Sequence, residues 1–398
     1  MSLAYVDPGN FGTDIQGGAS FNYDLLWAVW MASGFAMLLQ YLSGKLGIAT
    51  GNSVSQLVRG SLKSRTRVVP YWLGAEIAIA ATDLAEYLGT VIALNILFGV
   101  PLLYAAIFGA ADVIILLALT GNRLRVIEYF FMLFVSIISI GFLYELLIVR
   151  PNLEQITIHS ITPILTSDSV LVVVGIVGAT VMPHALYLHS SLTQGKQQRW
   201  GIGGGDLAQK KKLLGLHLRE NIVILAVAGS VNAAILIMAA AAFYPAYSDI
   251  SEISQAYGVL VPLVGSLAAI MFAVTLLCSG LASSVVGTLA GQELMTGLLG
   301  VKVNKNLRRL VTRVINVFPT TIAIFIGLDP LALLVYSQVL LSLMIPLPMI
   351  PLIWYTSKKS VMGSFVNRRI TTIAALAVGT AIILLNITLI YSALFPHP

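Results

Sequence analysis

Apolar stretches long enough to cross a bilayer alternate with short polar connections along most of the chain. A membrane-spanning helix needs about 20 predominantly apolar residues. Such stretches lie at about 24–48, 69–98, 101–119, 126–149, 169–194, 220–244, 258–299, 310–328, 330–355 and 370–395. With an incomplete, interrupted element at 1–22, they predict an all-α integral membrane protein of eleven segments, without a separate soluble domain.

Composition agrees with this prediction. The 398 residues are 58% hydrophobic and 10% charged, whereas a soluble domain carries about 25% charged residues. Cys278 is the one cysteine and lies in an apolar run, which excludes an internal disulfide and a cage of cysteine ligands for a metal. Residues 1–6 have neither a basic region nor a long apolar core, so we expect no cleavable signal peptide.

Basic residues fall on alternate connections between the predicted segments. We number the eleven segments in chain order, with 1–22 as segment 1. Of the 23 Lys and Arg residues, 21 lie on the connections between segments 2 and 3, 4 and 5, 6 and 7, 8 and 9, and 10 and 11. Lys45 lies on the same side and Arg150 on the opposite side. Because Lys and Arg are retained in cytoplasmic loops, we predict a multi-pass protein of the cell membrane with this side and the N-terminus in the cytoplasm. The net charge of +6 then reflects topology, and we expect no binding to nucleic acid.

The sequence Asp7-Pro8-Gly9-Asn10 interrupts the first apolar element. Proline lacks an N–H, and Pro–Gly does not continue a helix without loss, so backbone carbonyls are freed here. In a membrane such a break survives only where it is buried in protein or lines a cavity. A carboxylate beside freed carbonyls predicts a cation site. Because only six residues precede Asp7, we expect the chain to lack the first half of this helix.

A second break lies at Ala179–His184, where Pro183 removes a backbone donor. Paired breaks in the two halves of a membrane chain point to the midplane site of a transporter. The thioether of Met182 favours transition metals over Mg²⁺ and Ca²⁺, although methionine is also a common gap filler in cores. Gln338 carries an amide that either completes such a site or forms an interhelical hydrogen bond.

Three acids, Glu76, Asp83 and Glu86, recur at helical spacing on the segment 69–98 and share one face. Like charges crowded in a medium of low dielectric constant cannot all remain ionised, so this face is a candidate proton acceptor. The alternative is a structural ion pair with Arg308 or Arg309.

Two histidines, His184 and His189, follow the second break. Histidine changes charge in the physiological pH range, so either residue could pass a proton or sense pH. The alternative is that they are hydrogen-bonding contacts between helices.

Several of these groups resemble the motifs of the Nramp family of proton-coupled divalent metal transporters. They are Asp7-Pro8-Gly9-Asn10, Thr82-Asp83-Leu84-Ala85-Glu86, Met182-Pro183-His184 with Tyr187-Leu188-His189, and Gln338. The resemblance covers essentially the whole chain. It implies one transport domain of the LeuT-type fold, with inverted five-helix repeats at about 1–149 and 168–355 and an extra helix at about 370–395.

The resemblance also implies roles for individual residues. The implied metal ligands are Asp7, Asn10, Met182 and the carbonyls of Ala4 and Ala179, with Gln338 as the candidate that completes the shell. The implied proton pathway contains His184, Asp83, Glu86 and His189, with Arg308 and Arg309 as partners of the acids. Glu76 is a further candidate for this pathway, because it shares the acidic face. The metal, Mn²⁺ or Fe²⁺ and also Cd²⁺ or Co²⁺, would be a substrate imported by alternating access. We expect no cofactor and no enzymatic activity, and a monomer would suffice.

Four other functions compete with this interpretation. An amino-acid/sodium symporter of the same fold could hold an amine at Asp7, but Met182 would then have no role. A Mg²⁺-selective relative is disfavoured by the same thioether. An intramembrane metalloprotease needs a His-Glu-x-x-His cluster, and the spacing of His184 and His189 does not provide one. A channel fits poorly with two midplane breaks, which are typical of one occluded site.

Overall fold

The computed structural model describes residues 7–109, 124–199, 206–248, 258, 261, 265–302 and 304–395. Over these residues the regular structure is entirely helical, as predicted. The helices are α1 Pro8–Phe21, α2 Leu26–Thr50, α3 Val54–Leu62, α4 Arg65–Phe98, α5 Leu102–Gly109, α6 Leu124–Val149, α7 Leu153–Ile161, α8 Val170–Val181, α9 Pro183–Arg199, α10 Leu207–Phe243, α11 Ser266–Leu294, α12 Lys305–Phe325, α13 Pro330–Met344, α14 Pro346–Thr356, α15 Lys359–Met362 and α16 Arg369–Leu394. A π-helical turn, Met295–Leu299, extends α11, and a 3₁₀ turn, Gly363–Phe365, follows α15.

Seven helical stretches among the described residues are long and apolar enough to cross a membrane. They are Leu26–Thr50, Arg65–Phe98, Val170–Gln197, Leu207–Phe243, Ile270–Leu299, Pro330–Thr356 and Arg369–Leu394. Each coincides with a segment expected from the apolar pattern. The predicted segment 101–119 lies largely outside the described residues, and the total of eleven stays a prediction.

The helix boundaries differ from the predicted segments where polar residues or prolines intervene. Helix α10 begins thirteen residues before the predicted start at 220, because Asp206 caps it by accepting a hydrogen bond from the N–H of Gln209 at 2.9 Å. The segment predicted at 330–355 is divided into α13 and α14 at Pro346, which cannot donate to the preceding turn. The polar connections also contain short helices, α3 and α7, that apolar periodicity does not reveal.

Contacts between helix ends bring three of the basic connections together on one side of the molecule. The Lys210 Nζ donates to the carbonyl of Ala49 at 3.0 Å, which joins the start of α10 to the end of α2. The Lys45 Nζ donates to Asn367 Oδ1 at 2.8 Å, next to the start of α16. We call this side, with the C-terminal ends of α2, α9 and α14 and the start of α10, the basic face.

Helix α1 lies in the centre of the bundle, packed against α8, α10, α13 and α4. At Gly18 the backbone of α1 approaches that of α10 so closely that a Cβ would collide with the Leu236 carbonyl and the Ala240 nitrogen. At Gly178 a Cβ would collide with the backbone of Gln338 on α13. Small residues at such crossings allow close packing of membrane helices, and here they hold both interrupted helices against their neighbours.

Candidate metal site

The first break positions a carboxylate at the start of α1. Asp7 is the N-cap, and its Oδ1 accepts hydrogen bonds from the Asn10 N–H at 2.9 Å and from the Asn10 amide Nδ2 at 3.0 Å. Pro8 occupies the first helical position, where no N–H is needed. Asp7 and Asn10 are both 1% exposed. A helix N-terminus favours negative charge, so the fold holds this carboxylate at a defined place inside the protein.

The Asn10 side chain connects α1 to two other helices. Its Oδ1 accepts from Asn232 Nδ2 on α10 at 3.2 Å and from Thr180 Oγ1 on α8 at 3.4 Å. The first break therefore contacts the second break directly, through Thr180. A carbonyl oxygen has two lone pairs, so a cation at this position would compete with these interhelical bonds.

The second break falls at Met182, between α8 and α9. Met182 has φ 54°, a region that few residues other than glycine adopt, and its side chain is fully buried. Because Pro183 has no N–H, the carbonyl of Ala179 has no helical donor four residues later. A thioether and a backbone oxygen without its helical partner therefore lie at the same turn.

Gln338 on α13 lies between the two breaks. A Cβ on Gly9 would collide with the Gln338 amide, and the backbone carbonyl of Gln338 lies against Gly178. The Gln338 Nε2 donates to Ser337 Oγ at 2.9 Å, whereas its Oε1 is buried without a hydrogen-bond partner among the described residues. An orphaned amide oxygen beside Asp7, Asn10 and the second break has the chemistry expected of a cation ligand.

The remaining predicted ligand, Ala4, lies outside the described residues. Within the part of the chain that the structure describes, no group of three His, Cys, Asp or Glu side chains could hold a metal. A metal at the two breaks would therefore depend on amide, carbonyl and thioether donors in addition to the carboxylate of Asp7.

The acids of α4 extend from the first break towards the basic face. A Cβ on Gly89 would collide with Pro8, so this part of α4 packs directly against the start of α1. Glu86 and Asp83 follow towards the basic face and are 1% and 7% exposed. Thr82 Oγ1 lies 3.0 Å from His184 Nδ1, so the second break is connected to α4 beside Asp83.

Glu76, the acid nearest the basic face, pairs with Arg308 on α12. The Arg308 guanidinium also lies against Gly291 on α11, where a Cβ would not fit. The side chain of Arg309 lies outside the described residues. His189, two turns beyond Met182 on α9, is buried, with its ring centroid 6.1 Å from that of His217 on α10.

Three polar residues at the site were not predicted from the sequence: Thr180, Asn232 and Asp14. Thr180 and Asn232 contact Asn10, as described above. Asp14 lies two turns from Asp7 on α1, and both of its carboxylate oxygens are buried without a hydrogen-bond partner among the described residues. Each of them is a polar residue within a predicted segment. Because polar residues inside a membrane are costly, this position is the sequence feature that could have identified them as site residues.

Comparison with known proteins gives matches over nearly the whole chain. The family model "Nramp: Natural resistance-associated macrophage protein-like" matches residues 1–392. The divalent metal cation transporter MntH of Acidiphilium cryptum is 44% identical over 391 residues, which cover 98% of this chain and 87% of that protein. The MntH of Deinococcus radiodurans is 38% identical over 394 residues, covering 99% of this chain and 88% of that protein.

Solved structures of transporters also match over nearly the whole chain. The crystal structure of the Eremococcus coleocola manganese transporter, in complex with an aromatic bis-isothiourea substituted compound, has a TM-score of 0.87 and 31% identity, covering 100% of this chain and 86% of that chain. Mhp1, a nucleobase-cation-symport-1 family transporter, has a TM-score of 0.61 at 16% identity, covering 99% of this chain and 93% of that chain. These likenesses confirm the predicted LeuT-type fold.

The ion pair of Glu76 on α4 with Arg308 on α12 should contribute to the stability of the fold. Arg308→Gln leaves the Glu76 carboxylate without its guanidinium, and removing one partner of a buried pair costs up to about 3–5 kcal/mol. We expect a clear fall in the thermal unfolding temperature in detergent. The double variant Glu76→Gln/Arg308→Gln should recover most of the loss, since no uncompensated charge remains.

The exposed pair Lys196–Glu220, with side chains 34% and 52% exposed, supplies the control. Lys196→Gln should change stability by no more than about 1 kcal/mol. If the double variant were no more stable than Arg308→Gln alone, the loss would have to come from packing of the arginine stem.

Proposed function

The chain belongs to the Nramp family of divalent metal cation transporters, and we propose that it imports Mn²⁺ or Fe²⁺ in symport with protons by alternating access. Cd²⁺ and Co²⁺ would be further substrates. The observation that carries this proposal is the convergence of both helix breaks and Gln338: Asn10 contacts Thr180 at 3.4 Å, and Gln338 packs against Gly9 and Gly178. A site at the meeting point of two interrupted helices is typical of secondary transporters.

The proposed ligands are Asp7, Asn10, Met182, Gln338 and the carbonyl of Ala179, with Ala4 as the sixth. One carboxylate, several neutral oxygens and one thioether form a mixed donor set. Hard cations such as Mg²⁺ and Ca²⁺ gain little from sulfur, whereas transition metals and Cd²⁺ gain more. The donor set therefore supports a transition-metal substrate over a Mg²⁺ substrate or an amino acid.

The proposed proton route follows α4. From Gly89 beside Pro8 to Glu76 the helix rises roughly 20 Å, and the buried acids Glu86 and Asp83 lie between these two points. His184 reaches the route through its contact with Thr82. At the end of the route Glu76 pairs with Arg308, which joins the route to α12.

The proposed setting is the cell membrane, with the basic face in the cytoplasm. The distribution of Lys and Arg supports this orientation. The partners are the transported metal ions, protons and the lipid bilayer, and one protomer contains every proposed ligand.

Asp7 should be indispensable for metal binding. Asp7→Asn keeps a helix cap but removes the charge, and Mn²⁺ affinity measured by calorimetry should fall at least about 100-fold, since losing even an indirect ligand contact costs 10–100-fold. Asp24→Asn is the control, because Asp24 is partly exposed and pairs with His159 at 3.1 Å. Near-wild-type Mn²⁺ affinity in Asp7→Asn would remove this residue from the site.

Met182 should determine selectivity more than affinity. In Met182→Ala a water can take the vacated position, so Cd²⁺ affinity should fall at least about tenfold more than Mn²⁺ affinity, and Ca²⁺ should compete better with Mn²⁺. Met349→Ala is the matched control, because Met349 is equally buried at 1% exposure but lies on α14, away from the breaks. Equal rejection of Ca²⁺ with unchanged Cd²⁺ affinity would assign Met182 to packing.

Asp83 should matter for proton movement rather than for metal affinity. In proteoliposomes, Asp83→Asn should abolish metal-driven acidification of the lumen or silence transport. Its Mn²⁺ affinity should fall far less than that of Asp7→Asn. Glu220→Gln, a neutralised acid that is exposed and paired with Lys196, should leave acidification intact. Unchanged acidification by Asp83→Asn would exclude Asp83 from the route.

A further inference from the structure

A cavity of about 290 Å³ opens on the basic face, away from the helix breaks. It is lined by Ala49 at the end of α2, by Leu207 and Lys210 at the start of α10, and by residues 360–365. Three parts of the chain that are distant in sequence therefore enclose one space. Among the described residues, Lys210 is the charged residue of this lining, and no acid belongs to it.

Lys210 is built into the cavity wall. It is 7% exposed, whereas its neighbours Lys211 and Lys212 are exposed. Its Nζ donates to the Ala49 carbonyl at 3.0 Å, one of the carbonyls that the end of a helix leaves without a partner. An ammonium group has three donors, so this bond leaves the positive charge and further donors beside the cavity.

Two further cations lie next to the same space. Lys45 is one helical turn before Ala49 on α2, is 7% exposed, and donates to Asn367 Oδ1 at 2.8 Å. Arg368 directly follows Asn367 and precedes the first residue of α16. The salt bridges found among the described residues include none of Lys45, Lys210 and Arg368.

No carboxylate in the described part of the chain forms an ion pair with these cations. The Asn367 Nδ2 is a buried donor without a hydrogen-bond partner among the described residues. Asp206, the acid one turn before Lys210, caps α10 through the N–H of Gln209 and does not pair with Lys210. Gathering cations in a partly desolvated place is unfavourable unless an anion is bound. The unpaired groups here are donors and positive charges, which a phosphate group would satisfy.

The position of the cavity favours a lipid as the source of that phosphate. Trp354, at the end of α14, is 48% exposed, and the Lys358 Nζ lies 3.4 Å from the centroid of its ring. Exposed tryptophans of membrane proteins lie at the level of the lipid headgroups, and basic pockets between helices on the cytoplasmic side bind anionic headgroups. We propose that the cavity formed by Lys210, Ala49 and residues 360–365 binds the phosphate headgroup of an anionic phospholipid, with Lys45, Asn367 and Arg368 completing the site.

Such a lipid would join the end of α2, the start of α10 and the connection between α14 and α16. This role is separate from the metal site and does not depend on it.

The test is native mass spectrometry of protein exchanged into detergent containing phosphatidylglycerol or phosphatidylcholine. The wild type should retain phosphatidylglycerol in preference to phosphatidylcholine, and Lys210→Gln should lower this retention about fivefold or more. Glutamine keeps an N–H donor at this position and removes the charge. Lys211→Gln changes the charge equally at the adjacent exposed position and should behave as the wild type.

A second matched pair covers the case in which Lys210→Gln does not fold. Arg368 and Arg369 are both exposed, so both variants should fold, and only Arg368→Gln should weaken retention. Inorganic phosphate and glycerol phosphate in large excess should not displace the lipid. Equal losses within each pair, no preference of the wild type for phosphatidylglycerol, or displacement by soluble phosphate would each overturn the proposal.

Discussion

The constraint on which this structure depends is that a bilayer offers no hydrogen bonds to an interrupted backbone. Most of the chain satisfies its peptide groups within long helices. The start of α1 at Pro8 and the break before Pro183 leave this arrangement, and both are buried. The surrounding residues compensate only in part: Asp7 caps the first break, and Asn10 connects it to Thr180 and Asn232. The oxygens that stay unsatisfied are the ones available to a cation.

Close backbone contacts make this arrangement possible. The amide of Gln338 reaches the breaks because Gly9 has no side chain, and α13 approaches α8 because Gly178 has none. A larger residue at either position would move the amide away from Asp7. The polar chemistry of the site is therefore inseparable from the small residues that bring its helices together.

The sequence predicts those features that depend on a single element. Long apolar stretches predict spanning helices, Pro8 and Pro183 predict the breaks, and the spacing of Glu76, Asp83 and Glu86 predicts a shared face. Contacts between distant elements are different, because apolar pattern and spacing contain no information on which helices meet. The contact of Asn232 with Asn10 and the cavity at Lys210 both depend on tertiary packing. The early start of α10 was missed because its first turns are polar and capped by Asp206, so that hydropathy does not mark them.

The glycine contacts also join helices in pairs. Gly18 holds α1 against α10, and Gly178 holds α8 against α13, each through backbone atoms that cannot separate without opening a void. Asp7 and Asn10 belong to the first pair of helices, and Gln338 and the carbonyl of Ala179 to the second. The two pairs also touch directly, because Gly9 and Gly12 of α1 lie against α13. An ion held by ligands from both pairs would add a removable link at this contact, so its arrival and departure would change how tightly the two pairs are joined.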